Sequence, residues 1–521
     1  MILDEVAATQ QIGFPILTIL TFLPIVGAVA LWLFQKDEDL IRKSALAVAG
    51  LELFISVLLM WNFTPNSAQI QFSERADWIP AIGVGYHMGV DGINVLFIPL
   101  TAFLIFLIMV YSWDTERNLL KPYLMALLGL EGTIVGVFAS LDLILFFFFW
   151  ELMLVPSYFL IKLWGTGPNR QYAALKYVLY TLTGSVLMLV GMVLLNLNYH
   201  AAAVASHTEP LYSFDFIDLL NVPVPPEKQA LIFFLMFFGF AFKAPVFPFH
   251  TWLPTALVEG PIVMSVLLAG VKLGTFGFIR FTIPLLPEAS KDWFWLMAGL
   301  GLVAIIYGAL IALVQTDFRR LLAYSSISHL GFVMLGLFAL NFQGLQGSLL
   351  QMINLGFSTA GLFFMAGFLY NRTGSAELSA YGGLARHVPL LATFMLVLGL
   401  ASIGLPGTNG FIGEFLILLG AFRAHWALAA IGVLGVILGA AYFLWYYERA
   451  FFGPMTHEPK RPLHDLRPRE WGIAVALCVM VLWIGLYPAP FLNMINGSVQ
   501  ALADRVQQGS VVQAVKAGKH P

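Results

Sequence analysis

The chain has 521 residues, is 59% hydrophobic, only 11% charged, and carries a formal net charge of −2. Ordinary soluble domains hold about 25% charged residues, so this composition excludes a soluble globular protein and leaves lipid as the solvent. No basic excess points to nucleic acid. The single cysteine, Cys478, lies in an apolar run, which excludes an internal disulfide and a cysteine-held iron–sulfur or zinc set.

The N-terminus lacks the basic segment and small-residue cleavage site of a signal peptide, so the first apolar run, 14–34, is expected to be a retained helix. Further spans are expected at 44–62, 93–112, 120–138, 141–163, 172–196, 230–249, 262–284, 293–315, 320–340, 346–369, 388–422, 427–450 and 470–493. A helix needs about 20 apolar residues to cross the hydrocarbon layer. The runs are continuous and do not alternate with period two, so a barrel is rejected. The fold class is therefore an all-α integral membrane protein with about fourteen transmembrane helices.

Two runs are interrupted. Pro245 and Pro248 break the seventh, and Gly404, Pro406, Gly407 and Gly410 break the overlong twelfth. Five spans separate them, so a repeat of that length enters the membrane inverted. Inverted repeats with matching broken helices mark ion transporters. The chain divides into an N-terminal three-helix segment (1–115), a first five-helix antiporter-like repeat (116–286), an inverted second repeat (287–451), and a last loop, helix and tail (452–521). Loops other than 197–229 and 451–469 are short, and the tail from Asp504 to Pro521 is expected to be flexible or docked to a neighbour. With the N-terminus outside, Lys and Arg in the loops favour the inner side by about four to one, as the positive-inside rule requires.

Charges at mid-bilayer are costly and functional by default. The deep candidates are Glu151, Lys243, Lys272, His329 and Glu414. A Glu–Lys pair that separates changes the proton affinity of both partners, which is what a proton relay needs. Glu151 and Glu414 can also be read as snorkelling residues, and His329 as a hydrogen-bonded core histidine. His250 reads as a local hydrogen-bonding residue. Gly83-x-Gly85-x-x-x-Gly89 is not expected to follow a strand, so it is no dinucleotide fingerprint.

Several motifs now coincide with one family. These are Val90-Asp-Gly, Phe149-Trp-Glu-Leu, Lys243-Ala-Pro-Val-Phe-Pro-Phe-His-Thr-Trp-Leu-Pro, Leu322-Ala-Tyr-Ser-Ser-Ile-Ser-His-Leu-Gly and Leu405-Pro-Gly-Thr-Asn-Gly-Phe-Ile-Gly-Glu-Phe. Over about 15–490 the chain resembles the antiporter-like subunit M of respiratory complex I, called chain 4 (NdhD) in the plastoquinone-reducing NAD(P)H complexes of cyanobacteria and chloroplasts. The resemblance implies a proton relay in which Glu151 pairs with Lys243, with Lys272, His329 and Glu414 following. It implies that the chain serves as a subunit of a proton-translocating quinone oxidoreductase, without a cofactor of its own. Quinone, iron–sulfur clusters and electron donor would sit on other subunits. Its partners would be lipids and other membrane-arm subunits in a hetero-oligomer. The alternative within the same fold is a subunit of a multisubunit sodium/proton antiporter.

The sequence departs from that pattern at Thr255-Ala-Leu257-Val-Glu259-Gly, at Val271-Lys272, where about two residues are missing, and at Ile353-Asn354-Leu355. These departures resemble the chain 4 variants of complexes specialised for carbon dioxide uptake. They imply a cyanobacterial thylakoid membrane, otherwise a bacterial inner membrane. The missing residues are expected either to turn Lys272 to another face or to be absorbed in a bulge.

Overall fold

The computed structural model describes residues 4–34, 37–115, 118–454 and 463–516. A short strand, β1 (Glu5–Ala7), leads into α1 (Ile16–Phe34) and α2 (Glu38–Asn62). A hairpin follows, β2 (Ile70–Ile79) and β3 (Val84–Val90), and then α3 (Phe97–Thr115) and α4 (Leu120–Ala139). Next come α5, in two parts (Leu143–Leu152 and Leu154–Trp164), α6 (Arg170–Ser206) and α7, broken into Pro226–Lys243 and Trp252–Glu259. The eighth span, α8, runs Ile262–Gly270 and Leu273–Gly277, then a π-helical turn Phe278–Thr282 and Ile283–Leu285. The remainder are α9 (Phe294–Leu313), α10 (Phe318–Leu337), α11 (Phe342–Thr373), α12 (Pro389–Ser402 and Asn409–Ala424), α13 (Trp426–Phe451), α14 (Pro468–Leu486) and α15 (Ala489–Lys516).

Twelve of these helices are long and apolar enough to cross a membrane, and the broken α7 and α12 bring the spanning elements among the described residues to fourteen. The protein is a multi-pass integral membrane protein, as its composition requires. Large apolar side chains on α2, α6, α13 and α14 face outward, Phe54 and Trp61 among them. By contrast, α8 and α11 are buried almost throughout and form the centre of the bundle.

Three features depart from the expected elements. The first is a three-stranded sheet, with β1 parallel to β2 and β2 antiparallel to β3. It lies where the chain leaves lipid, so its polar backbone needs no helix. Gly83 closes the hairpin with φ +73°, a conformation glycine adopts without strain. The glycine motif therefore does follow a strand, but a second strand succeeds it and no helix, so it still holds no phosphate site. The second is α6, whose 37 residues run about 55 Å, well beyond one bilayer, so much of the expected outer loop is helix. The third is the tail, which is helical to Lys516 and lies across the bundle's outer end. Arg505 donates to Leu220 O and Pro284 O at 2.8 and 2.7 Å, and Ser498 accepts from Gly92 N at 2.9 Å.

Candidate functional site

The breaks build the site. In α5, Pro156 has no N–H for the carbonyl of Leu152, and the helix kinks at Met153, two residues after Glu151. In α7, the chain leaves the helix after Lys243 because Pro245 cannot continue the ladder. Val246 N turns back to Ala241 O at 3.0 Å, and the Trp252 indole N–H donates to the freed Phe242 O at 2.7 Å. Lys243 thus ends a half-helix in the protein interior.

The break at Lys272 was not expected. Residues Val271 and Lys272 leave α8 (Lys272 φ −96°, ψ 63°), and the π-helical turn follows six residues later. Lys272 is therefore a break residue and not a mid-helix one. The helix is unwound at Lys272 and carries a wide π turn beyond it. Next to it, Gly274 lets α8 touch the break of α7: a Cβ there would lie 2.3 Å from Ala244 N.

Lys243 and Lys272 line one enclosed cavity of about 30 Å³, with Leu130, Ser157, Trp252 and Leu330 among its other walls. That is room for about one or two waters. Lys272 Nζ is buried and meets no hydrogen-bond partner among the described residues. Lys243 donates to Tyr177 OH at 3.1 Å and sits 5.4 and 5.2 Å from the ring centres of Trp150 and Tyr177. Desolvated cation–π contacts of this kind stabilise an ammonium by about 2 kcal/mol.

Glu151 is half-buried with its Oε1 fully enclosed and unpartnered. Glu151 is expected within salt-bridge or one-water reach of Lys243; no direct ion pair joins them among the described residues. The lysine is held by Tyr177, while the Trp150 indole N–H, beside Glu151 in the chain, donates to Ser185 Oγ at 3.0 Å.

A second cluster forms at the break of α12. Gly404 turns there with φ +74°. His329 Nδ1 lies 3.1 Å from Glu414 Oε1, and its Nε2 lies 3.1 Å from Ser402 Oγ. Gln351 donates to the same Glu414 oxygen at 3.2 Å, Asn354 donates to Gln351 Oε1 at 3.2 Å, and Asn354 also donates to Asn409 O at 2.7 Å. Lys243, Lys272, His329 and Glu414 are all between 4 and 7% exposed, so none of them snorkels. No hydrogen bond joins Lys272 to His329 among the described residues; the cavity wall at Leu330 is where the two clusters approach. His250 pairs with Tyr307 OH at 3.2 Å.

Sequence reasoning missed several buried groups. Asp91 and Arg280 form a bidentate pair at 2.7 and 2.8 Å, which accounts for the Val90-Asp-Gly motif at the head of α3. The amides Gln351, Asn354 and Asn409 were not assigned to Glu414. Glu52 and Glu131, both fully buried within spans, were not among the deep charges considered. The visible signal for each was a lone carboxylate in an apolar run.

Broken helices that bring buried lysine, histidine and glutamate into the bundle interior define an antiporter-like membrane subunit. The family model described as NADH:quinone oxidoreductase/Mrp antiporter, transmembrane, matches residues 140–439. The chain is 40% identical to NADH-quinone oxidoreductase subunit M of Rhodobacter capsulatus, over 96% of this chain and 99% of the relative. It is 37% identical to the subunit M of Mycobacterium tuberculosis, over 93% of each. Among solved structures, a chain of respiratory complex I from Thermus thermophilus with bound NADH superposes with a TM-score of 0.84 at 34% identity, covering 94% of this chain and 99% of that one. A chain of the Mrp complex from Dietzia gives 0.81 at 20% identity, over 95% and 99%, and shares the fold. The chain belongs to the NADH:quinone oxidoreductase/Mrp antiporter transmembrane family, as an antiporter-like subunit of the complex I type, similar to subunit M.

Proposed function

We propose that this chain is a proton-translocating membrane-arm subunit of a quinone oxidoreductase complex, working with other membrane subunits and holding no redox cofactor itself. The observation that carries the reading is the shared cavity of Lys243 and Lys272 at the crossing of two helix breaks. Glu151 and Lys243 set the input. When Lys243 leaves Tyr177 toward Glu151, each partner stabilises the other's charge; when it returns, the carboxylate favours a proton. Lys272 accepts a proton through cavity water, and His329 and Glu414 take it on, with Gln351 holding the glutamate in place. The division into repeats 116–286 and 287–451 belongs to the same proposal, supported by the matching breaks in α7 and α12. Moving one proton against 100 mV needs about 2.3 kcal/mol, less than the 3–5 kcal/mol lost on removing one partner of a buried ion pair.

The narrower reading, a plastoquinone-linked form in thylakoids that supports carbon dioxide uptake, rests only on the departures at Thr255–Leu257, Val271–Lys272 and Ile353–Leu355. The relatives named above are bacterial NADH-quinone oxidoreductase subunits and favour the general reading. Purification of the intact complex and identification of its subunits separates these readings from a sodium/proton antiporter. For the relay, Lys272→Ala is expected to leave assembly intact and abolish proton uptake in reconstituted vesicles. Lys272→Arg is expected to fail as well, because guanidinium does not release its proton. Normal uptake in the alanine variant removes Lys272 from the path.

A further inference from the structure

Away from the line of Glu151 to Glu414, two other carboxylates sit inside the bundle. Glu52 lies near the middle of α2, on its one buried stripe with Ala45, Ala49, Ser56 and Leu59. Glu131 lies near the middle of α4, whose whole outer half is buried. Both residues are 0% exposed. None of their four carboxyl oxygens meets a hydrogen-bond donor among the described residues. Ser56, one turn from Glu52, spends its hydroxyl on Leu53 O at 2.8 Å. The helices α2 and α4 touch.

Among the described residues no cation bonds to either carboxyl, though Leu130 and Ile134 of α4 line the cavity that holds Lys243 and Lys272. α1, packed against both helices, has no ionisable side chain. α3 offers only Tyr111 and Asp114 near its inner end, β3 offers Tyr86 and His87 at the outer end, and α5 offers Glu151, Tyr158 and Lys162. On the pair's own helices, the charges Glu38, Asp39, Arg42, Lys43 and Lys121, with Tyr123, sit at the starts. Lys121 is ten residues from Glu131, about 15 Å along the axis, and is bound to Trp32 O. Carboxyls buried in low dielectric without a donor do not both ionise, since burial disfavours each charge. Calcium takes 6–8 oxygen ligands and magnesium a full octahedron, and apolar neighbours cannot complete either shell. A proton needs no such shell, since it leaves the buried carboxyl neutral.

We propose that Glu52 and Glu131 form a second proton-holding site between α2 and α4, in which at least one of the two buried carboxyls carries a proton. The site lies partly in the N-terminal three-helix segment, outside both repeats, and does not depend on the relay reading.

Infrared difference spectroscopy of the intact purified complex between acid and alkaline buffer, in water and in deuterium oxide, tests it. The wild type is expected to show a protonated-carboxyl C=O band that shifts on deuteration. Glu52→Gln or Glu131→Gln alone should keep a neutral acid band at a shifted frequency, because the remaining carboxyl has no charge partner. The double variant should lose it. A double variant with the wild-type spectrum in this region overturns the site. So does a wild-type band that follows sodium concentration and not pH. Should the variants not assemble, the wild-type complex treated with an apolar carbodiimide, which adds to protonated carboxyls, decides by mass spectrometry. An adduct on Glu52 or Glu131 supports the site, and recovery of both peptides unmodified overturns it.

Discussion

Gly274→Ala is the sharpest test of the idea that the crossing of α7 and α8 is functional geometry. The added Cβ would lie 2.3 Å from Ala244 N and 2.6 Å from Ala244 Cα and Cβ. Ordinary contact begins near 3.4 Å, so the two breaks must separate by about 1 Å, and backbone cannot rotate away as a side chain does. Overpacking of this kind costs about 1–3 kcal/mol. The separation also widens the cavity shared by Lys243 and Lys272 on one side only. The expected outcome is a complex that assembles with lower thermal stability and pumps fewer protons per quinone reduced. Gly299→Ala is the matched control, because nothing lies within 4 Å of its Cβ position; alanine also raises helix propensity there by about 1 kcal/mol. The assay is thermal inactivation together with proton uptake in vesicles for both variants. If Gly274→Ala behaves like Gly299→Ala in both measurements, the crossing is not a constrained part of the site.

Two further outcomes are expected. Asp91→Asn leaves Arg280 buried without its carboxylate and should destabilise by about 3–5 kcal/mol, while the double change Asp91→Leu with Arg280→Met should recover most of it; additive losses in chemical denaturation of the purified subunit would argue against a coupled pair. The outer cluster of Glu5, His87 and Asp215 should give the β2–β3 hairpin a pH optimum. Burial pulls His87 down, but hydrogen bonds with Asp215 and Glu5 outweigh it and hold the imidazole above its usual 6.5. Its contribution is therefore full below about 6.5 and fades as pH rises through the raised value. Burial pushes Glu5 up, but the His87 and Ser73 hydrogen bonds prevail and set it at about 2. Asp215 is likewise lowered, because the His87 bond outweighs burial. Those contributions are present above about 4.5 and are lost as pH falls toward about 2. Amide exchange across residues 70–90 should be slowest between these limits, and His87→Asn should flatten the profile; an unchanged profile would refute the assignment.

Much of the frame was legible because lipid makes hydropathy decisive. Fourteen apolar runs and proline-marked breaks near Pro245 and Pro406 are visible without a structure, and so are Lys243, Lys272, His329 and Glu414. The break at Lys272 was not legible. No proline marks it, and Gly270 and Gly274 by themselves suggest only close packing. The break lies beside the close approach of Gly274 to Ala244, a contact between distant segments. The sheet was missed because the segment from Gln71 to Val90 alternates poorly, with its register shifted by bulges. The absent Glu151–Lys243 contact has a similar origin, since Tyr177 on α6 competes for the lysine from a third helix. By contrast, Gln351 and Asn354 stand three residues apart on one helix face and were readable as a polar stripe aimed at a partner. Glu52 and Glu131 were readable too, each an isolated acid in an apolar span.

The C-terminal helix α15 has a mechanical consequence. Through Arg505 it fastens the loop ahead of α7 and the end of α8, and through Ser498 it fastens the head of α3. Further along, Asn493 O accepts from Asn66 N at 2.8 Å, anchoring the segment before the hairpin. One rod thus clamps four chain segments at the same end of the bundle. A half-helix pinned at that end swings only at its free tip, so displacement of the Lys243 and Lys272 backbones would be largest toward the opposite side. The molecule is then a set of levers with a common fixed end, and the direction in which the levers open is set by where the rod lies.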